Sequence, residues 1–303
     1  MSQESKTKFQ AELEKEVGKV KAFYYPVRAG LLRRLFVTSA SLSKLHPNPN
    51  DEFCHPDVGP NHEIISEYLS EYIRFGKNVN TPVSFKGGIT EPLIVEKARP
   101  DGYFILNGHH RWAAARRAGM KRLPVKVVDP TRTADIKKML EKSASDRRVT
   151  LDLDETVFRP ANDPFLEKPL PYPFRKLYKE RLKLGIPALF HFLKNHDYDI
   201  WVYSAKYYSL DYIRAFFIHY RIPVTGIVTG TARKGPKENS KEIETLLDSR
   251  YKSTLHIDDK TVLCTRRGSK DFEEFTLSDP GAGWSAGIMD VVRSEERRVG
   301  KEG

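Results

Sequence analysis

Cysteine is scarce in this 303-residue chain, and Cys54 and Cys264 are its only two. They lie far apart and form no metal-ligand spacing, which excludes a cysteine-held metal and points to a reduced, cytoplasmic protein. Long apolar runs are also missing. None approaches the length that crosses a bilayer, and Met1 to Lys8 is polar rather than signal-like, so no membrane partner is expected. No internal repeat and no low-complexity linker divides the chain.

What is present supports real cores. Hydrophobic residues make up 39% and charged residues 30%, and the length leaves room for two domains. Net charge is +11, with a pI near 9.4. That excess suits nucleic acid or an enzyme of phosphorylated anions. It is scattered over Arg33-Arg34, Arg116-Arg117, Arg147-Arg148 and Arg266-Arg267, with no aromatic residues interleaved as a single-strand platform requires.

The chain is organised around the stretch from Arg147 to Phe158. Val149 to Leu151 is too short for a helix and reads as a buried strand, with Asp152 and Asp154 at its end. Residues two apart on a strand point the same way, and the carboxyl ends of strands are where ligands sit in open α/β sheets. Two acids there can hold Mg²⁺ and divide nucleophile and acid roles. Ile200 to Ser204 is a second apolar run, ending in a hydroxyl. Leu255 to Asp259 is a third, ending in Asp258 and Asp259. Between them Lys234, Lys237 and Lys241 stand in a lysine-rich helix start.

In this order, acid pair, hydroxyl, lysine and acid pair resemble the haloacid dehalogenase superfamily of phosphohydrolases, over residues 146 to 290. The resemblance implies that Asp152 attacks phosphorus to form an aspartyl-phosphate and that Asp154 protonates the leaving oxygen and then activates water. It implies Mg²⁺ on the Asp152 carboxylate, the Asp154 carbonyl and Asp258, with Asp259 an outer ligand. Ser204 would donate to the transferring group, and a lysine would offset its charge. Lys241 is the first choice, with Lys237 and Lys234 as alternatives. Five prolines between Pro160 and Pro173 exclude a long helix where a cap would grow, so the cap is expected to be minimal. Phe174 to Lys183, Pro187 to Asn195 and Leu210 to His219 read as helices, and Val224 to Val228 as a strand. The alternation predicts a parallel sheet with helices on both faces. The strand from Leu255 to Val262 is also similar to that of phage polynucleotide kinase-phosphatases.

Upstream, Phe9, Leu13, Val17 and Val20 recur at helical spacing, with core packing as the expected role. Ile64, Ile65, Tyr68, Leu69, Tyr72 and Ile73 form a second stripe, with Asn61 as N-cap and Gly76 as stop. Pro92 to Glu96 and Tyr103 to Leu106 read as strands joined by the turn Arg99 to Gly102. Gly108, His109, His110 and Arg111 then open an alanine-rich helix closed by Gly119, and Val125 to Val128 is a further strand. A glycine allows close backbone approach, a helix start offers N–H donors, and the histidines and arginine can clamp phosphate oxygens.

Residues 30 to 130 resemble the ParB/sulfiredoxin fold through Lys44 to Pro49, Pro92 to Val95 and Gly108 to Arg111. Sulfiredoxins place a cysteine in a G-C-H-R box, where this chain has His109, so sulfinic-acid reduction is not expected. ParB proteins carry G-E-R-R and a following DNA-binding region, which a phosphatase-like domain replaces here. Members that phosphorylate free serine carry G-H-H-R and a glutamate near the proline loop, where Glu52 stands beside Asp51. The resemblance implies nucleotide binding, with ATP, ADP or CTP as the cofactor.

The expected organisation is an N-terminal helix (1–30), a small α+β ParB/sulfiredoxin-like domain (31–130), a connecting helix (131–145) and a Rossmann-like haloacid dehalogenase domain (146–293). Residues 294–303 have no apolar period, resemble translated adaptor sequence, and are set apart as a non-native or disordered tail. The expected function is a Mg²⁺-dependent phosphohydrolase of a small phosphorylated metabolite or nucleotide. Two alternatives are a nucleic-acid end-processing phosphatase or kinase, and a ParB-like nucleotide-gated DNA-binding protein.

Overall fold

Short β-branched runs flanked by turn residues form strands in both halves of the chain. The computed structural model describes residues 3–75, 91–231, 245–269 and 272–302. They divide into two compact units, one ending at Pro130 and the other beginning at Thr131.

In the first unit, β1 (Tyr25–Pro26), β2 (Thr38–Ser41), β3 (Leu45–Pro47), β4 (Leu93–Arg99), β5 (Tyr103–Asn107) and β6 (Arg122–Val127) make one sheet, in the order β2-β6-β4-β5-β3 with β1 on β4. It is mixed. β4 runs antiparallel to β5 through the predicted turn and parallel to β6. Helices α1 (Gln3–Phe23), α3 (His62–Phe75) and α4 (His109–Arg117) supply much of the core, with the short α2 (Leu31–Leu35) between β1 and β2. The stripe on α1 is buried as expected, and Leu13 and Val17 share one cluster with Ile65, Val95, Ile105 and Trp112. Ala113, Ala114 and Ala115 are fully buried in the same cluster. Asn61 caps α3, its Oδ1 accepting from Glu63 N at 2.9 Å and Ile64 N at 3.3 Å, a contribution of about 1 kcal/mol. Gly76, the expected stop, lies outside the described residues.

In the second unit, β7 (Arg147–Asp152) lies between β10 (Tyr198–Ser204) and β12 (Ser253–Ile257), and β11 (Gly226–Thr229) flanks β10. These four are parallel, and Leu151 pairs with Val202 on one side and Ile257 on the other. β13 (Thr261–Arg266) and β14 (Phe272–Thr276) extend the sheet antiparallel. The predicted parallel sheet is therefore present in four strands and extended at one edge by two antiparallel ones, because a three-residue turn rather than a helical crossover joins β12 to β13.

Helices α7 (Ile186–Asn195) and α8 (Leu210–His219) bury Ile186, Leu189, Phe190, Ile213 and Phe216 completely against the sheet. Helix α5 (Thr133–Glu141), expected as a connection, sits in the second unit, with Ile136 and Met139 packed on Trp201, Val228 and Tyr251. Burial of two such side chains contributes about 1.5–3 kcal/mol each, which makes α5 a structural layer rather than a tether.

The predicted helix over Phe174 to Lys183 is one turn, α6 (Phe174–Leu177). Arg181–Leu182 instead forms β9, antiparallel to β8 (Phe158–Arg159). Pairing with β8 and burial of Lys183 override the local helical pattern. The last helix, Trp284–Glu302, buries Trp284, Ile288 and Val292. Residues 294–302 continue it, with Glu296 paired to Arg147 at 3.3 Å and to His196 at 2.8 Å.

Candidate functional site

The carboxyl edge of the parallel strands gathers most of the acids read from the sequence. Asp152 closes β7, and a single π-helical turn, Leu153–Val157, follows it. The Asp152 Oδ1 accepts from Asp154 N at 2.7 Å and Glu155 N at 2.8 Å. The strand end and the turn thus hold one carboxylate oxygen, while Oδ2 has no hydrogen-bond partner among the described residues.

Asp154 is the best-connected acid of the edge. Ser204, buried at the end of β10, donates Oγ–H to Asp154 Oδ2 at 2.5 Å. Tyr208 OH donates to Oδ1 at 3.2 Å, and Lys206 Nζ reaches the same oxygen at 2.9 Å. Burial and the charge of Asp154 push the Tyr208 phenol up, so it stays a donor at neutral pH. Lys206 and Tyr208 were not read from the sequence. The signal available was their spacing of two and four residues after Ser204, in a loop that turns back over the strand end.

Asp258 follows β12, and the β7–β12 register sets it beside Asp152. Its Oδ1 accepts from Asp259 N at 2.7 Å. Asp259 is engaged differently, pairing with Lys183 Nζ at 2.9 Å and with the Arg159 guanidinium. Lys183 is 2% exposed and lies 3.9 Å from the centre of the Trp284 ring. Burial lowers its pKa, opposed by the bond to Asp259. This cation was also missed, because 76 residues separate it from its partner. Lys234, Lys237 and Lys241 lie outside the described residues.

No group of three His, Cys, Asp or Glu side chains is gathered in metal-binding geometry among the described residues. Mg²⁺ needs fewer protein ligands than that, since it keeps several waters and takes one or two carboxylates. Among the described residues, Asp152 commits only Oδ1, to two backbone N–H groups, and Asp258 only Oδ1, to one, so the donor set fits such an ion.

In the first unit the Gly108–Arg111 box is built into the protein. Gly108 has φ +102°, and a Cβ there would stand 2.4 Å from Leu93 Cδ2, so the turn into α4 requires glycine. His109 is buried. Its Nε2 accepts from Asn48 N at 3.2 Å, Nδ1 faces Asp51 Oδ1 at 3.5 Å, and its ring stacks on Phe53 at 5.4 Å. Burial pushes its pKa down to about 4, against the pull of Asp51 and with the help of His110. His110 Nε2 accepts from Asn61 N at 3.1 Å, and burial lowers this histidine as well.

Arg111 donates to Asn107 Oδ1 at 3.0 Å and to the Glu91 carbonyl. The three side chains expected to clamp a phosphate each contact protein groups. What remains at this helix start is its first-turn N–H groups, which α-helical geometry leaves without intrahelical partners. Glu52 lies nearby in a short 3₁₀ turn, Glu52–Cys54, capped by Asp51. The Cys54 thiol is pushed up to about 12 by burial and by Asp51, so it is no nucleophile at neutral pH.

Comparison with known proteins bears on the first unit. Residues 59–144 match the family model of the ParB N-terminal domain, so the chain carries a ParB-like domain. The chromosome-partitioning protein ParB from Caulobacter crescentus, solved with CTP-γ-S, is 26% identical over 36% of this chain, with a TM-score of 0.23. The chain spans 59% of that protein's length. A free serine kinase bound to AMP is 14% identical, covering 89% of this chain and 86% of its own, with a TM-score of 0.22. A conserved hypothetical protein from Pyrococcus furiosus is 12% identical over 82% of this chain and 98% of its own, with a TM-score of 0.23. No curated protein matches the chain significantly.

Proposed function

We infer that the second unit is a divalent-metal-dependent phosphohydrolase of phosphorylated small molecules or nucleotides, and that the ParB-like unit binds a nucleotide such as ATP, ADP or CTP. One observation carries the hydrolase reading. Asp152 is held at a strand end by two backbone N–H groups, its second oxygen unengaged among the described residues, while Asp154, two residues on, is gripped by Ser204, Tyr208 and Lys206.

In this reading Asp152 Oδ2 attacks phosphorus as the leaving oxygen departs, giving an aspartyl-phosphate that water then cleaves. Asp154 hands a proton to the leaving oxygen and later takes one from the water. Ser204 and Lys206 hold Asp154 in place, and Lys206 supplies a positive charge at the edge. Asp152, the Asp154 carbonyl and Asp258 would hold Mg²⁺, which when bound offsets charge on the phosphoryl oxygens.

The test is hydrolysis of p-nitrophenyl phosphate with and without Mg²⁺, using the wild type and Asp152→Asn. Full activity in EDTA, or in the variant, sinks the reading. Titration of the full chain with ATP, ADP and CTP tests the first unit, and absence of binding by any of them leaves the Gly108–Arg111 box as a structural joint only.

A further inference from the structure

The amino edge of the same parallel strands is as basic as the carboxyl edge is acidic. An open cleft of about 720 Å³ lies there, between the start of β7, the end of α7, the turn before β12 and the end of β13. β7 spans six residues, so roughly 17–20 Å of strand separates this cleft from Asp152. One phosphate cannot serve both edges. The cleft is a separate place.

Five cations line it: Arg147, Lys194, Arg250, Lys252 and Arg267. The lining acids are Asp146 and Asp197. Three of the cations have carboxylate partners. Lys252 pairs with Asp146 at 2.8 Å, Arg147 with Glu296 at 3.3 Å, and Lys194 with Asp199 at 3.4 Å. Arg250 and Arg267 have none among the described residues. Each donates to a backbone carbonyl at 2.9 Å, Arg250 to Ser143 and Arg267 to Ser249.

A carbonyl fixes the direction of a guanidinium without neutralising it, so two oriented, fully charged forks face an open volume. The volume falls in the range of ordinary ligand sites. No aromatic and no large apolar side chain lines the cleft. A nucleoside base would find nothing to stack on, whereas repeated phosphate groups would meet a donor at each step.

We propose that this cleft binds the phosphodiester backbone of a polynucleotide without regard to sequence, with Arg250 and Arg267 as its principal contacts and Lys194 as a peripheral one. Such a site draws its affinity from counterion release, so binding falls as salt rises, by a log–log slope of about −0.7 for each phosphate contacted on a single strand.

The experiment is fluorescence anisotropy of a labelled single-stranded oligonucleotide with the full chain at several salt concentrations. The wild type is expected to bind with a slope that reports several contacts. The double variant Arg250→Ala/Arg267→Ala should bind at least about 10-fold more weakly, with a slope shallower by about 1.4. Both arginines also tie backbone segments together, so thermal unfolding is followed alongside. The half-exposed Lys194→Glu serves as a second variant that leaves those ties intact and should weaken binding by several-fold. Failure of the wild type to bind, or unchanged binding by a folded double variant and by Lys194→Glu, overturns the proposal. Tripolyphosphate or ATP competing as well as unlabelled oligonucleotide at equal phosphate concentration also overturns it, in favour of a small polyphosphate ligand.

Discussion

The Gly108–Arg111 box and the Asp152–Asp154 turn look alike as sequence, for each is a short polar run following an apolar strand. Their side chains are spent differently. His109, His110 and Arg111 bind Asn48, Asn61, Asn107 and Glu91, and so tie a loop and a strand end to α4. Among the described residues, the Asp152 and Asp258 side chains bind only their own following backbone, which leaves one oxygen of each without a partner there. Residue type alone does not tell these two arrangements apart. The number of polar atoms still unpartnered does.

The sharpest way to break this comparison is Asp152→Asn. Loss of the attacking oxygen should lower phosphatase turnover by about 10³-fold or more while thermal stability stays near wild type. A stability loss without a rate loss would make this turn the structural one. The opposite result is expected for Arg111→Ala. Its guanidinium is buried and joins α4 to Asn107 and Glu91, so chemical denaturation should show a loss of roughly 2–3 kcal/mol by the usual scale of charged hydrogen bonds. Weaker nucleotide binding at unchanged stability would return Arg111 to a ligand role.

A pH titration sharpens the same contrast. His109 titrates near 4 in the fold and near its ordinary 6.5 when unfolded, so the unfolded chain binds the extra proton between those values. The stabilising effect of neutral His109 is therefore complete above about pH 6.5 and is lost as pH falls toward 4, with a limiting slope of about 1.4 kcal/mol per pH unit. Denaturation midpoints of the wild type and His109→Gln between pH 7 and 5 check this, and equal slopes in the two proteins would contradict it. The smallest effect belongs to Lys206→Ala. The side chain is largely exposed, so its pairing with Asp154 should change stability by no more than about 1 kcal/mol. Turnover should fall by several-fold, read as kcat at saturating p-nitrophenyl phosphate, and an unchanged kcat would remove Lys206 from the site.

Much of the scaffold was legible beforehand because it rests on local rules. The stripe on α1, the Asn61 cap, the hairpin through Gly102 and the strand ending at Asp152 all follow from periodicity, capping and turn chemistry within a few residues. The placing of Ser204 beside the acid pair was legible too, since a parallel sheet sets the two strand ends side by side, but its hydroxyl, expected to serve the transferring group, donates to Asp154. Lys183 was not. A buried lysine at a helix-like position gives no local sign that it will bond Asp259, and the segment around it became β9 only because β8 offered a strand edge.

By itself, then, the sequence determined where apolar faces lie, where helices begin, and which acids stand at strand ends. Those outcomes depend on backbone geometry over a turn or two. Tertiary structure alone decided which polar groups were already satisfied. His109 meets Asn48 across 61 residues, and His110 meets Asn61 across 49. A buried donor or acceptor must find a partner wherever packing brings one, because leaving it unpaired costs about 1–3 kcal/mol. Three-dimensional packing makes that choice: it gives His109, His110 and Arg111 protein partners in the first unit and leaves Asp152 Oδ2 of the second without one among the described residues.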